Sequence, residues 1–324
     1  MRIIALTGVI VCSPSPSPAA VQRFAFDRTL QVSAPAKLEV TTEHGKIDVV
    51  AGAPGRMAVQ GDVTVRRGWN VPANAVDLAR QVAAAPPIEQ RGDTVRLFIP
   101  VDDATRRAVT VRYRVEVPTD TEVRSVTNSG ATTVRNIAGA VDVRTQSASI
   151  VVRDLAGGVQ VTTSSGAVLA TALKGALAVS TSSSSFTGMN LGSSLQVRTQ
   201  SGSVDAAFTG NGDADIQTGS SSIQLRGLRG GLSVTTQSGR VVVQGSPRRN
   251  WTVTTGSSSI ELTFETGDRF DLDAVTGSGS VVVEGGAVQG TSGQRAVKGT
   301  VGGGGETVRL NSRSGSIHLR IASR

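Results

Sequence analysis

One short phrase recurs along this chain between Val123 and Gly285: alternating aliphatic residues, a Thr, a corner of Ser followed by Gly, Ala or Ser, then alternating aliphatics again. Copies read VDVRTQSASIVV (141–152), VQVTTSSGAVLA (159–170), LQVRTQSGSVDA (195–206), LSVTTQSGRVVV (232–243) and WTVTTGSSSIEL (251–262). The corner serines Ser129, Ser147, Ser165, Ser183, Ser201, Ser220, Ser238 and Ser257 follow one another at steps of 18, 18, 18, 18, 19, 18 and 19. Ser278 comes 21 residues later and Ser314 another 36, which is two units with one degenerate. Units this short cannot bury an apolar face alone, so a fixed period of this size requires each unit to stack on its neighbours.

Parity assigns the faces, because successive strand side chains point to opposite sides. Val159, Val161 and Thr163 share one face, and Thr162 and Ser164 take the other. Two strands and two tight corners account for 18 residues, one coil of a parallel β-solenoid (β-helix) in which each strand pairs with its equivalents in the coils on either side. The inward Thr127, Thr145, Thr163, Thr181, Thr199, Thr218, Thr236, Thr255 and Thr276 are then expected to form a ladder of hydroxyls bonded along the stack. The residue after the corner Ser alternates Gly130, Ala148, Gly166, Ser184, Gly202, Ser221, Gly239, Ser258 and Gly279. Either adjacent 18-residue coils interlock two kinds of corner, the preferred reading, or the true coil is 36 residues long. A third arrangement, antiparallel hairpins at each Ser-Gly, fits less well because Ser-Ser and Ser-Ala are poor two-residue hairpin loops.

Composition agrees with a thin core. Of 324 residues 38% are hydrophobic but only 3% aromatic, and 38 are Gly, so Val, Leu, Ile and Ala must do the packing. The net charge of +8 gives weak attraction to anionic surfaces, but the basic residues are scattered without interleaved aromatics. Specific nucleic-acid binding is therefore not expected.

Residues 1–20 read as a signal peptide: Arg2, an apolar run from Ile3 to Val11, and small residues at Ser17-Pro18-Ala19-Ala20. The run is too short to span a bilayer. Cys12, the one cysteine, ends it and raises lipid modification as a second option, although Val11 before it is bulkier than lipoprotein processing wants. The expected location is outside the cytoplasm: periplasm, envelope or extracellular space, with membrane contact only through such an anchor. From 21 to 122 the pattern is β-rich but not periodic, and residues 73–85, between Pro72 and Pro86-Pro87, read as a short helix. This segment is expected to cap the solenoid array of 123–324, since bare strand edges invite end-to-end self-association. LEVTTEHGKIDVV (38–50) already resembles a degenerate unit, VTVRYRVEV (109–117) alternates cleanly, and 285–305 reads as a Gly-rich loop.

With those residues laid out, the chain resembles the bacterial DUF4097 family, adhesin-like β-strand repeat proteins, over about residues 30–321. The resemblance rests on the VxVxTxSGxVxV phrase, the closing VRLNSRSGSIHLRI and the VTVRYRVEVP that precedes the array. It implies an exported or envelope-associated β-solenoid acting as adhesin or scaffold, and it carries over no catalytic or ligand residue. The chain departs from the family pattern in its regular corner alternation and its late Gly-rich insertion.

Catalytic chemistry finds little support. His44 and His318 lie almost at opposite ends of the array, outside any metal-like spacing, and no GxSxG occurs. No cofactor is expected. Asp213 and Asp215 share parity, yet Gly210 and Gly212 beside them favour a turn role. Trp251 occupies an aliphatic position and reads as core rather than a sugar platform. For binding, Arg144, Thr162, Arg198, Gln217, Thr235 and Thr254 occupy one outward offset, with Gln146, Gln200 and Gln237 two residues on. Stacked, they form a flat polar face able to meet a cell-surface polysaccharide or a protein. The alternative reading is a carbohydrate-active β-helix enzyme with a shallow surface site, which demands a groove with convergent carboxylates.

Overall fold

A computed structural model describes residues 22–100 and 102–322. The signal-peptide segment and Cys12 lie outside the described residues. The chain is built from two long sheets, a 15-stranded leading sheet that takes the first strand of each coil and a 14-stranded trailing sheet that takes the second. Val143, Val161, Val179 and Val197 stand in one column, each paired in parallel with its equivalent in the next coil. The coil is therefore 18 residues, and the 36-residue alternative is excluded. In a typical coil Val141 and Val143 from the leading strand meet Ile150, Val152 and Leu155 from the trailing strand, all at most 2% exposed. The core is a ribbon of such layers between the two sheets.

The corner alternation has a steric cause. A Cβ on Gly166 would lie 1.7 Å from the carbonyl oxygen of Ala148 in the coil beneath, and one on Gly202 or Gly239 would lie 2.3 or 2.1 Å from that of Ser184 or Ser221. Corners with a side chain, Ala148, Ser184, Ser221 and Ser258, tuck it inward and are buried. Each then seats a glycine corner from the next coil. The hydroxyl ladder takes a different form from the one expected. Thr127, Thr163 and Thr276 accept the corner N–H of Gly130, Gly166 and Gly279 at 3.0, 3.0 and 3.1 Å, and Thr199 and Thr236 donate to the carbonyls of Ser201 and Ser238 at 3.0 Å. These threonines fasten the turns of their own coils, because the corner amides have no strand partner and a hydroxyl three residues back is the nearest acceptor, while Thr145, Thr255 and Thr276 also donate to a neighbouring coil, at the Asn128 carbonyl, the Ser312 hydroxyl and the Gly315 carbonyl.

The trailing strands carry a second device. Asn136, Asp154, Ala172 and Asn190 have left-handed backbone, φ between 54° and 61°, and Gly227 has 68°. In each such strand this extra residue is thrown out as a bulge, so that Leu155, Leu173 and Leu191 turn back into the core. Asn, Asp and Gly are the residues that tolerate this conformation.

The stack does not follow chain order at either end. The early coil, Lys37–Thr42 and Ile47–Ala51, lies between Glu122–Thr127 with Thr132–Arg135 on one side and Thr94–Leu97 with Val109–Val117 on the other. The degenerate unit at 38–50 is thus an internal coil of the stack. Beyond it, the antiparallel strands Arg56–Val65 and Arg23–Gln31 extend the trailing sheet and Ile88–Arg91 extends the leading one. Helix α1 (Ala75–Ala84) packs Ala75, Ala79 and Val82 against this end. A second helix, α2 (Asp103–Ala108), which the sequence reading missed, starts where the Asp102 carboxylate accepts the Thr105 N–H at 2.7 Å.

The other end repeats the arrangement. The closing coil, Glu306–Ser312 and Ile317–Ile321, lies inside an outer coil written before it, Phe270–Thr276 and Val281–Glu284. The Gly-rich stretch 285–305 is not a loop but mostly an antiparallel hairpin, Gln289–Ser292 with Ala296–Val301, added to the outer coil's leading strand. Its glycines permit close approach: a Cβ on Gly290 would lie 2.2 Å from the Lys298 carbonyl oxygen. Trp251, Phe264 and Phe270 stack at this end, ring centroids 5.7 and 4.3 Å apart, and the indole N–H donates to the Gly230 carbonyl at 2.8 Å. Trp251 is core, as its position in the repeat implies.

Candidate functional site

The predicted outward residues of the leading strands form columns because the strands are in register. Arg144, Thr162, Ser180, Arg198, Gln217, Thr235 and Thr254 follow one another as direct neighbours across successive coils. Strand spacing of about 4.8 Å separates each from the next. Within this face the side-chain lengths are uneven. On the strand Leu177–Ser183 the outward residues Ala178, Ser180 and Ser182 are all small, whereas the next strand presents Gln196, Arg198 and Gln200. The result is a trough running along one strand, with a wall of long side chains beside it.

A hollow of about 780 Å³ opens over the middle of the trough, lined by Thr162, Ser180, Arg198, Gln200, Gln217 and Gln237 among others. Thr235 also lines it, while Arg144, Gln146 and Thr254 continue the polar face outside. Arg144 is drawn to Asp142 at 3.1 Å, whereas Arg198 forms no ion pair among the described residues. A second hollow of about 640 Å³ runs over Ala140, Gly158, Ala176 and Ala178 toward Asp213 and Asp215. Sequence parity gave the columns, but the trough was missed; its signal was the coincidence of three small outward residues in one coil beside three long ones in the next.

The chemistry on offer is hydrogen bonding and the positive charge of Arg198. Hydroxyls, amides and a guanidinium can bind a polar partner but provide no group that exchanges protons near neutral pH. Asp213 is spoken for: it accepts the Gly231 N–H at 2.6 Å and pairs with Arg249, so it ties its corner to later coils. Asp215 accepts from Gln196 at 3.3 Å. His44 sits against Ser129 at 2.7 Å, and His318 lies in the closing coil. Among the described residues no group of three or more His, Cys, Asp or Glu is placed to hold a metal ion, and no helix is long and apolar enough to cross a membrane.

With the coils and this face in view, the chain can be set beside known families. Residues 172–320 match the Toastrack DUF4097 family model. The Toastrack match takes in the trough's small-residue strand, every later coil and the closing coil, and it agrees with the resemblance carried by the repeat phrase. Two solved structures also align. A candidate cell adhesion protein from Clostridium sporogenes ATCC 15579 is 9% identical, with 92% of this chain and 99% of that chain covered and a TM-score of 0.23. A candidate adhesin from Bacteroides fragilis NCTC 9343 is 13% identical, with 92% and 96% covered and a TM-score of 0.29. No curated protein matches the chain.

Proposed function

We propose that this chain is a non-catalytic, exported adhesin-type scaffold that meets a cell-surface polysaccharide or protein across the polar face of its leading sheet. The observation that carries this reading is the in-register face itself: seven successive coils presenting Thr, Ser, Gln and Arg, with the trough and Arg198 at its centre. The Toastrack match and the export-type opening segment are consistent with such a role. A rigid repeat rod suits display, because each coil fixes the next and the spacing of its side chains is constant.

The test is binding of the chain to whole cells and to purified envelope polysaccharides. Replacing Arg198, Gln200 and Gln237 together by Ala is expected to weaken binding at least about tenfold, the loss typical of removing the central contacts of an interface. Arg226→Ala on the trailing sheet serves as the control and should leave binding unchanged. Undiminished binding by the triple variant would remove the face from consideration, and release of shortened polysaccharide would mark an enzyme instead.

A further inference from the structure

Near the end of the stack the closing coil fills a slot between two coils that precede it in the chain. The closing coil pairs on one side with Trp251–Thr255 and Ile260–Phe264, for example Trp251 with Val308 and Ile260 with Ile317. On its other side it pairs with the outer coil, Leu272 with Val308 and Val281 with Ile317. Val308, Leu310, Ile317 and Leu319 are at most 1% exposed, so four side chains of this segment complete the core between the two coils. The trailing strand of the outer coil, Val281–Glu284, has no strand partner except Ile317–Ile321 among the described residues. Among the described residues the outer coil's strand pairing to the rest of the stack therefore runs through the closing coil, while Phe270 also packs on Phe264 and Ser246 bonds to Asp268.

The slot is selective. A Cβ on Gly315 would lie 1.8 Å from the carbonyl oxygen of Ser258, and Gly279 in turn rests on Gly315, so only a glycine corner enters. Ser312 accepts the Gly315 N–H at 2.8 Å, and Asn250 accepts the Thr307 N–H at 2.9 Å. What joins the segment to the preceding hairpin is four consecutive glycines. Gly302, Gly303 and Gly304 have φ of +62°, +97° and +82°, and nothing lies within 4 Å of a Cβ at Gly303. Such a joint resists few alternative paths, since glycine adopts either sign of φ without steric cost.

We propose that this slot is a binding site for a strand–corner–strand segment of the repeat's own pattern, filled within the chain by residues 306–321 and open to the same residues of a second copy. Exchange replaces every contact by an identical one, so its balance is set by the hinge and by concentration rather than by new interactions. It links copies through the end of the stack.

The test uses two full-length variants in a Cys12→Ser background, Thr254→Cys and Asn311→Cys, positions that face one another across the slot. They are mixed, held in urea just below the unfolding transition, returned to buffer and oxidised. A disulfide-linked dimer at least about tenfold above a Thr162→Cys plus Asn311→Cys control, rising with protein concentration, is the expected result. The double variant Thr254→Cys/Asn311→Cys is run beside it and should close its disulfide within one chain. If it closes while the mixture gives no excess dimer, exchange is overturned. If it fails to close, as well as its neighbour pair Thr252→Cys/Arg309→Cys, the pairing on which the slot depends is itself wrong.

Discussion

Single side chains decide the geometry of each turn. Gly166→Ala forces a methyl onto the Ala148 carbonyl oxygen at a separation of 1.7 Å, and backbone cannot yield there without unpairing a coil. The expected cost is about 3 kcal/mol or more, read as a lowered urea midpoint, in the range where strain is the diagnosis. Ala172→Gly should act in the opposite sense. Ala172 holds a left-handed φ of 55°, which costs a residue with a Cβ about 1–2 kcal/mol, partly offset by the greater freedom glycine has when unfolded. A net gain of about 0.5–1 kcal/mol is expected from the same measurement. Charge acts at the early coil. Arg96 at 2.6 Å, with Lys37 at 3.4 Å, holds the Glu39 carboxyl below its ordinary 4.5, and Glu122 at 3.3 Å raises the Lys37 ammonium. A lowered carboxyl pKa contributes stability above 4.5 that is lost as pH falls through the folded value. Glu39→Gln should therefore flatten the acid limb of a stability profile below about pH 4.5 while lowering the plateau near neutrality only slightly, since the pair is near the surface.

At the level of strands and coils, the repeat phrase told most of what the chain becomes, and the places where it did not are instructive. Period and parity fix which residues are inward, because both follow from backbone geometry that every coil shares. Position in the stack is another matter. The phrase VRLNSRSGSIHLRI fits any slot with a glycine corner, so nothing local reveals that it docks inside the outer coil instead of after it. The same holds for LEVTTEHGKIDVV, whose neighbours on both sides are written later. The Gly-rich hairpin was read as a loop because Gly290 and Gly299 suggest flexibility, whereas here they permit two strands to touch. Left-handed bulges were legible in Asn136, Asp154, Asn190 and Gly227 at equal offsets, but Ala172 in the same series masks the rule. The trough across the candidate face was equally present in the letters and needed neighbouring coils to be compared, not residues within one. Because the early coil is paired on both sides, its amides should exchange no faster than those of the middle coils. Hydrogen exchange resolved by residue tests this: Leu38, Val40 and Val49 should match Val179 and Val197 in protection, and exchange markedly faster than theirs would mean that the early coil opens independently.

Across the whole rod, stability is a sum of coils and of the contacts between neighbours, so adding coils should be tolerated if each new contact is an allowed one. The corners restrict which contacts are allowed. In stack order, glycine corners follow one another twice, Gly130 on Gly45 and Gly279 on Gly315, but two corners bearing side chains never do. Each corner bearing a side chain presents its carbonyl to the next corner so closely that only a hydrogen atom fits there, as Gly45 and Gly315 also do to Gly130 and Gly279. Duplicating residues 159–176 places a second glycine corner on Gly166 and is expected to give a folded rod longer by about 4.8 Å, with a melting temperature no lower than the parent. Duplicating residues 141–158 instead stacks Ala148 on a copy of itself, the contact that Gly166→Ala creates, and the clash should lower the melting temperature by several degrees or more, the shift expected from a loss of about 3 kcal/mol in a chain of this size. Small-angle scattering and calorimetry on the two duplications separate these outcomes. Equal behaviour of both would show that corner alternation is incidental to the fold, since the only difference between the inserted coils at that contact is a single methyl group.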